Sequence, residues 1–293
     1  MQLGLPLENN YLPSAQPFLK WAGGKRALLP RIAPLIPSTF RVYHEPFLGG
    51  GAVFWELTNR RARETISFQG AILSDSNEEL ILTYQVVRDS LDALLPLLAE
   101  HQKKHSKSHY YTVRALNPAT LSPLERAARF IYLNKTCYNG LYRVNRSGKF
   151  NVPMGSYKNP KIFMPEILQS ASAALQGIKL ICQDFTHILE QAQAGDFIYF
   201  DPPYVPLSET SSFTSYTSRN FGRIHHERLA QIFRILDKRG CKIMLSNSDT
   251  PFTRALYHEY RCLTVHAPRA INTKPNGRGK ISELLVLNYE PVS

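Results

Sequence analysis

From residue 42 onward, short apolar runs alternate with stretches whose apolar residues recur every three or four positions. The short runs, at 42–45, 71–74, 178–181, 197–200, 242–245, 262–265 and 284–288, have the length and β-branched or aromatic content of strands. Strands separated by helical patterns predict an α/β fold, a mostly parallel sheet wrapped by helices. The last run follows a short hairpin-like connection and is expected to lie antiparallel at or near an edge. Two helices are marked with particular clarity. Ser122-Pro123-Leu124-Glu125 is a capping box with proline at the first helical position, and Leu124, Ala127, Ala128 and Ile131 then share one face. A second helix, from about 224 to 239, carries Leu229, Ile232, Phe233 and Leu236 on one face and stops at Lys238-Arg239-Gly240.

The alternation breaks between about 84 and 177. Helical patterns there lead into 139–158, a polar segment punctuated by glycine that is expected to form a long β-hairpin. The chain therefore divides into a disordered leader over 1–17, a Rossmann-like α/β domain assembled from 18–84 and 178–293, and a mainly helical insert over 85–177 that carries the hairpin.

Charge adds a partner to this picture. Thirty-five Lys and Arg against 23 Asp and Glu leave a net +12. Between 126 and 165 stand eight basic residues and no acidic one, and between 260 and 282 five more, again without an acid. A polyanion is the natural partner of such stretches, and nucleic acid comes before membrane because no long basic amphipathic helix is present. No apolar run reaches the length of a membrane span, and the first residues lack the basic start and apolar core of a signal peptide. The four cysteines, Cys137, Cys182, Cys241 and Cys262, form no C-x-x-C pair, which argues against zinc and disulfides, suits a reducing cytoplasm, and predicts four buried apolar thiols.

Candidate chemistry gathers at the ends of the expected strands. Glu45-Pro46-Phe47-Leu48-Gly49-Gly50-Gly51 follows the first strand and opens a helical run at 52–60, a ligand loop at the carboxyl edge of a sheet. Phe54 stands where a dinucleotide fingerprint needs its third glycine, so the loop serves some other ligand. The next strand ends in Asp75, placed for ribose hydroxyls; a helix N-cap is the competing role, which Ser76 or Asn77 could fill. Lys20-Trp21-Ala22-Gly23-Gly24-Lys25 resembles a phosphate loop only superficially, since Leu19 and Arg26 occupy its required glycine and hydroxyl positions. Asp201-Pro202-Pro203-Tyr204 ends the run at 197–200, and two prolines stop that strand with an aspartate and a tyrosine at the sheet edge. His225-His226-Glu227 reads as a solvated helix start rather than a metal site, because adjacent histidines do not share a helical face.

Taken in order, FLKWAGGK, EPFLGGG, SDSN, NGLYRVNRSGKFNVPMGSYK, CQDF and DPPYVPLS resemble the Dam-type DNA adenine-N6 methyltransferases over 18–289. The resemblance implies a Rossmann-like methyltransferase sheet with an inserted target-recognition domain, and S-adenosylmethionine as methyl donor without a metal. Around the donor it implies Trp21, Ala22, Gly23, Lys25, Phe47, Gly49 and Gly51, with Asp75 at the ribose and Asp184 and Phe185 by the adenine. Asp201, Pro202 and Tyr204 would be catalytic, Asp201 also lying near the donor. The lone pair of adenine N6 is delocalised into the ring, so acceptors for both N–H bonds and a stacked tyrosine suit its transfer chemistry, on a base flipped from the duplex.

For DNA contact the resemblance implies Lys20, Asn139, Leu141, Arg143, Asn145, Pro153 and Tyr157. Arg143 would read a guanine, Leu141 and Pro153 would make apolar contacts to bases, and the site would be GATC. Double-stranded DNA is then the partner, with no obligate protein partner and a cytoplasmic, nucleoid-associated location. An RNA adenine methyltransferase, a protein amide methyltransferase and a non-catalytic DNA binder are the rivals. The motifs do not separate a solitary enzyme from a restriction–modification partner. The Ser/Thr-rich stretch 205–223 reads as a mobile lid, and 273–280 as a flexible basic contact to DNA backbone.

Overall fold

A computed structural model of the chain describes residues 12–206, 221–267 and 281–291. Among these, seven strands form one sheet: β1 (Val42–Glu45), β2 (Gly70–Asp75), β3 (Lys179–Cys182), β4 (Phe197–Phe200), β5 (Lys242–Ser248), β6 (Arg261–Ala267) and β7 (Ile281–Leu287). Their order is β3-β2-β1-β4-β5-β7-β6. The first five strands are mutually parallel, and β7 runs antiparallel to both of its neighbours, β5 and β6. All seven expected runs are strands, and the last is antiparallel one place in from the edge. Strand order reverses between β1 and β4, the place where open α/β sheets open a crevice beyond their carboxyl ends.

The α-helices are α1 (Leu29–Ile32), α2 (Ala52–Ala62), α3 (Glu78–Asp89), α4 (Leu91–Lys104), α5 (Lys107–Ala115), α6 (Pro123–Thr136), α7 (Pro165–Leu175), α8 (Ile188–Gln191), α9 (Arg223–Lys238) and α10 (Pro251–Leu256). Alternation along the central strands divides the core into two. Phe197 and Tyr199 of β4, with Leu285 and Leu287 of β7, join an apolar cluster that includes α2, α3, α6 and α7. Ile198, Phe200, Leu284 and Val286 face the opposite cluster, with α9. Strands buried on both faces read as continuous apolar runs, which explains why FIYF and LLVL carry no polar alternation.

The helices between β2 and β3 extend the first cluster rather than building a separate core: α6 packs on α3, α4 and α5. The capping box at its start is present, Ser122 accepting from Glu125 N while the Glu125 carboxylate accepts from Ser122 N. The segment 139–158 follows a hairpin course but departs from the expected ladder. It pairs only through single bridges at Cys137–Met154 and Val144–Phe150. Left-handed Asn139 (φ 54°) and Gly140 (φ 64°) turn the chain away from a pleat at its start, and Asn145 instead closes the tip by accepting from Ser147 N and Lys149 N.

Three further expectations change. Residues 12–17, expected in the leader, run along α2, where Ala15 and the Asn59 amide exchange two hydrogen bonds, while 1–11 lie outside the described residues. His226 is buried at 4% exposure; only His225 is a solvated helix start, its Nδ1 accepting from Gly222 N. Of the thiols, Cys137 and Cys241 are buried, whereas Cys262 is partly buried and Cys182, on the edge strand β3, is exposed. The lid expected over 205–223 falls outside the described residues at 207–220, as does the basic loop 273–280. Among the described residues no helix is long and apolar enough to cross a membrane.

Candidate active site

The carboxyl ends of β1, β2 and β4 sit side by side, so three segments far apart in sequence meet at one edge of the sheet. Beyond β1, the chain turns through Gly49 (φ 48°) and Gly51 (φ 65°) into α2. A Cβ at Gly49 would lie 2.6 Å from Trp21 Cδ1, so glycine there is what allows the indole to rest on the loop. Trp21 also stacks against Phe130 and Tyr142, tying the loop to α6 and the hairpin segment. Ala22 and Gly23 continue this strap at the surface, Gly23 at φ 77°.

Asp75 ends β2. Its Oδ2 accepts from Gly49 N at 3.1 Å and its Oδ1 from Asn77 N at 2.9 Å. The N-cap of α3 is Asn77, whose side chain accepts from Leu80 N, so Asp75 does not serve as the cap. Burial pushes the Asp75 carboxyl above its ordinary pKa, and the three backbone N–H groups of Gly49, Asn77 and Ser76 oppose that shift. Glu45 at the end of β1 is buried more deeply. Its pKa is raised to about 8 by burial, despite the Tyr43 hydroxyl that donates to Oε2 at 2.9 Å, and the Asp201 charge pushes it further up.

Phe47 and Phe185 stack at 5.3 Å, and Phe221 closes on both at 5.6 and 5.5 Å. The result is an aromatic group beside the glycine loop. Asp184, next to Phe185, caps the short turn at 185–187 by accepting from Thr186 N.

Asp201 ends β4. Lys25 Nζ lies 2.8 Å from its Oδ1, and Ser246 Oγ at the end of β5 donates to the same oxygen at 3.2 Å. Tyr199 Oη and Ser246 Oγ are hydrogen-bonded at 2.7 Å. No described residue bonds Oδ2. Burial raises the pKa of Asp201, and Lys25, then Ser246, hold it down. Pro202 is buried. The Tyr204 ring lies beneath Lys25, 4.5 Å from Nζ to centroid, and its hydroxyl donates to Glu283 Oε2 of β7 at 2.6 Å. Val205 N donates to Asn247 Oδ1 at 3.0 Å and so fixes the chain beyond the motif. A largely buried carboxylate with one oxygen clamped and the other unengaged by any described residue, beside an aromatic face, can hold an N–H donor of a planar ring.

The expected DNA-contact residues are carried by the segment before Lys25 and by the hairpin segment that follows α6. Lys20 Nζ sits 3.9 Å over the Tyr157 ring and donates to Lys135 O. A Cβ on Gly140 would meet Lys20 Cβ at 2.4 Å, so glycine brings the hairpin start onto this lysine. Arg143 Nε donates to Asn151 Oδ1 at 2.7 Å, and Nη2 to Asn151 O at 3.2 Å. Asn139, Asn145, Pro153 and Tyr157 are exposed, and Leu141 is half-buried. The structure thus joins Trp21, Gly49 and Asp75 in one group and Lys25, Asp201 and Tyr204 in another, with Lys20 and Tyr157 in contact beside them.

Sequence reasoning did not single out Glu283, Ser246, Asn247, Glu45 or Phe221. Ser246-Asn247-Ser248 carries a visible signal, three polar residues closing an apolar strand. Glu283 is the one charged residue in β7, where Ser282 is the only other polar residue. Phe221 follows a segment without pattern and gives none.

Comparison with known proteins gives one answer. Residues 21–271 match the family described as D12 class N6 adenine-specific DNA methyltransferase. The chain is 44% identical over 280 residues to the Type II methyltransferase M1.LlaDCHI of Lactococcus lactis subsp. cremoris, covering 94% of this chain and 95% of that protein. It is 45% identical over 291 residues to the Type II methyltransferase M.MjaIII of Methanocaldococcus jannaschii, covering 94% and 99%. It is 35% identical over 276 residues to the DNA adenine methylase of Escherichia coli K12, covering 94% and 95%.

Proposed function

Because the chain belongs to the D12 class of N6 adenine-specific DNA methyltransferases, we propose that it methylates adenine N6 within GATC, using S-adenosylmethionine and a base flipped out of duplex DNA. The observation that carries this reading is the Asp201 carboxylate, clamped at Oδ1 by Lys25 and Ser246 with Oδ2 unengaged by any described residue.

Residues 18–84 and 178–293 form the donor-binding and catalytic part, and 85–177 the target-recognition part. The donor set suits the proposed methyl donor: a carboxylate at the end of β2 for ribose hydroxyls, an aromatic group of Phe47 and Phe185 for adenine, and Trp21 against the glycine loop. When bound, S-adenosylmethionine supplies an electrophilic methyl carbon on its sulfonium. Asp201 Oδ2 accepts one N6–H and the Pro202 carbonyl the other, which turns the nitrogen lone pair toward that carbon. The Tyr204 face stacks on the extruded base. Lys25 opposes the upward shift that burial gives the Asp201 carboxyl and so favours its ionised form. The N6 proton released on transfer leaves by way of the carboxylate that already accepts it.

In the recognition part, Arg143 reads guanine, held in place by Asn151, and Leu141 and Pro153 discriminate bases by apolar contact. Lys20 and Tyr157 act together at the other guanine end, while Asn139 and Asn145 meet the DNA from the two ends of the hairpin. The remaining basic residues contact phosphates.

The test uses tritiated S-adenosylmethionine with duplexes carrying GATC, its single-base variants or no related site. Label recovered as N6-methyladenine from the GATC duplex alone is the expected result. Label on other adenine sites overturns the GATC assignment and keeps the chemistry, and failure of unlabelled S-adenosylmethionine to compete overturns the donor.

A further inference from the structure

We propose that Glu283 is a positioning residue for methyl transfer: its carboxylate sets the angle of the Tyr204 ring before a base arrives. The inference rests on the reading of Tyr204 as the stacking face.

A tyrosine side chain turns about two soft torsions, and a ring fixed only at its Cα samples several orientations. Tyr204 is held at both ends. Its backbone leaves β4 through Pro202 and Pro203, and Val205 N is tied to Asn247. Its far end donates to Glu283 Oε2 at 2.6 Å, and the Lys25 ammonium covers one face. The other anchor is itself rigid. Glu283 stands on β7, opposite Ser248 of β5 and Val265 of β6, with paired strands on both sides. Alternation places it on the side of Leu285 and Leu287, the side shared with Tyr199.

A half-buried carboxylate in an apolar strand is costly. Burial raises its pKa, while the Tyr204 hydroxyl and the Lys25 charge draw it back down. A glutamine or serine would tie β7 to the loop with less desolvation. What the carboxylate adds is a charge-assisted hydrogen bond, shorter and stronger than a neutral one, and hence a narrower range of ring angles. An aromatic wall already ordered in the free protein loses less freedom when the base stacks on it.

The experiment compares Glu283→Ala, Glu283→Gln, Tyr204→Phe and the double variant Tyr204→Phe/Glu283→Ala in the full chain. Three quantities are read: the single-turnover methylation rate at saturating donor and duplex, the fluorescence of 2-aminopurine at the target adenine, and Tm. Removing a hydrogen bond to a charged group predicts a roughly tenfold slower rate for Glu283→Ala and for Tyr204→Phe, with the double variant no slower than either. Glu283→Gln, whose amide oxygen accepts without the charge, should give a rate between those of Glu283→Ala and the native chain, and a fully native rate would overturn the role of the charge. Bound 2-aminopurine should be brighter in Glu283→Ala, because a loosened ring quenches it less.

Independent losses that multiply in the double variant would overturn the proposal, as would a lowered Tm with an unchanged rate. Tyr204→Phe leaves β7 intact, so a wild-type rate in that variant overturns it even if Glu283→Ala does not fold. Tyr204→Ala separates the two levels of inference. Full activity there removes the stacking reading itself, whereas collapse of activity beside a multiplicative cycle removes only the role of Glu283.

Discussion

Lys25 and Asp201 form an ion pair at 2.8 Å in which the lysine side chain is 5% and the aspartate 19% exposed. A pair this desolvated is stable only when further hydrogen bonds complete it, and here Gly23 O, Ser246 Oγ and the Tyr204 ring do so. The first sequence motif and the last catalytic motif are therefore one electrostatic unit.

This coupling gives a pH signature. Burial raises the Asp201 pKa and Lys25 lowers it. Replacing Lys25 by Met removes the lowering, so the carboxyl protonates at higher pH and the acid limb of the single-turnover rate moves upward. A pH–rate profile is the check, and an unmoved limb would detach Lys25 from the ionisation of Asp201.

Asp201→Ala should reduce methyl transfer by ~100-fold or more, the loss typical of removing one acceptor aimed at the reacting group. Duplex binding, measured by anisotropy, should survive. A variant that still transfers at more than a tenth of the normal rate would contradict the catalytic role of Asp201.

Recognition is expected to depend on a supporting residue as well as on a reader. Arg143→Ala should cost about 1–3 kcal/mol of discrimination at one base pair. Asn151→Ala removes the partner of Arg143 Nε and should relax the same base pair to a smaller degree. Competition between GATC and its single-base variants reads both. Loss of discrimination at different positions would separate the two residues.

Glu45 predicts a stability trend. Its folded pKa is about 8 and its unfolded value the ordinary one near 4.5, so between these limits the folded chain binds more protons than the unfolded one. Stability from this group therefore falls as pH rises across that window. Glu45→Gln keeps an acceptor for the Tyr43 hydroxyl without the charge, and its Tm should exceed the wild type by more at pH 8 than at pH 5. Equal differences at both values would show that Glu45 is not protonated in the folded chain.

Gly49 offers a test of the donor site that leaves catalytic groups untouched. Alanine there would adopt φ 48° and place its Cβ 2.6 Å from Trp21 Cδ1. The left-handed strain alone is about 1–2 kcal/mol, and the indole must move as well. Calorimetry should show S-adenosylmethionine binding at least ~10-fold weaker, and unchanged affinity would take Trp21 out of the donor site.

Much of this arrangement was legible in the chain because its signals are local. Short apolar runs located all seven strands, since burial on both faces leaves an uninterrupted apolar stretch. The capping box located α6, and the prolines after Asp201 stopped β4 where they stand. What escaped is relational. Nothing near Glu283 shows that its carboxylate meets Tyr204, because only the insertion of β7 beside β5 brings them together. The hairpin looked regular because a polar segment punctuated by glycine reads as one, yet Asn139 and Gly140 take positive φ where Gly140 packs against Lys20, a residue far away in sequence. His226 read as solvated because the helix sequence shows its two histidines but not the Phe221 ring that meets the second edge to face.

The place of β7 in the sheet bears on how the protein tolerates being cut or extended. An outermost strand can be trimmed and leave its neighbour as a new border. Here β7 holds both β5 and β6, so cleavage that frees 281–291 opens a seam inside the sheet. It uncovers two unpaired borders at once, each a template for joining another chain. A protein nicked there should drop out of solution as self-associated material rather than persist as a weakened monomer, and fusions are better placed on the β3 side, where the sheet already ends.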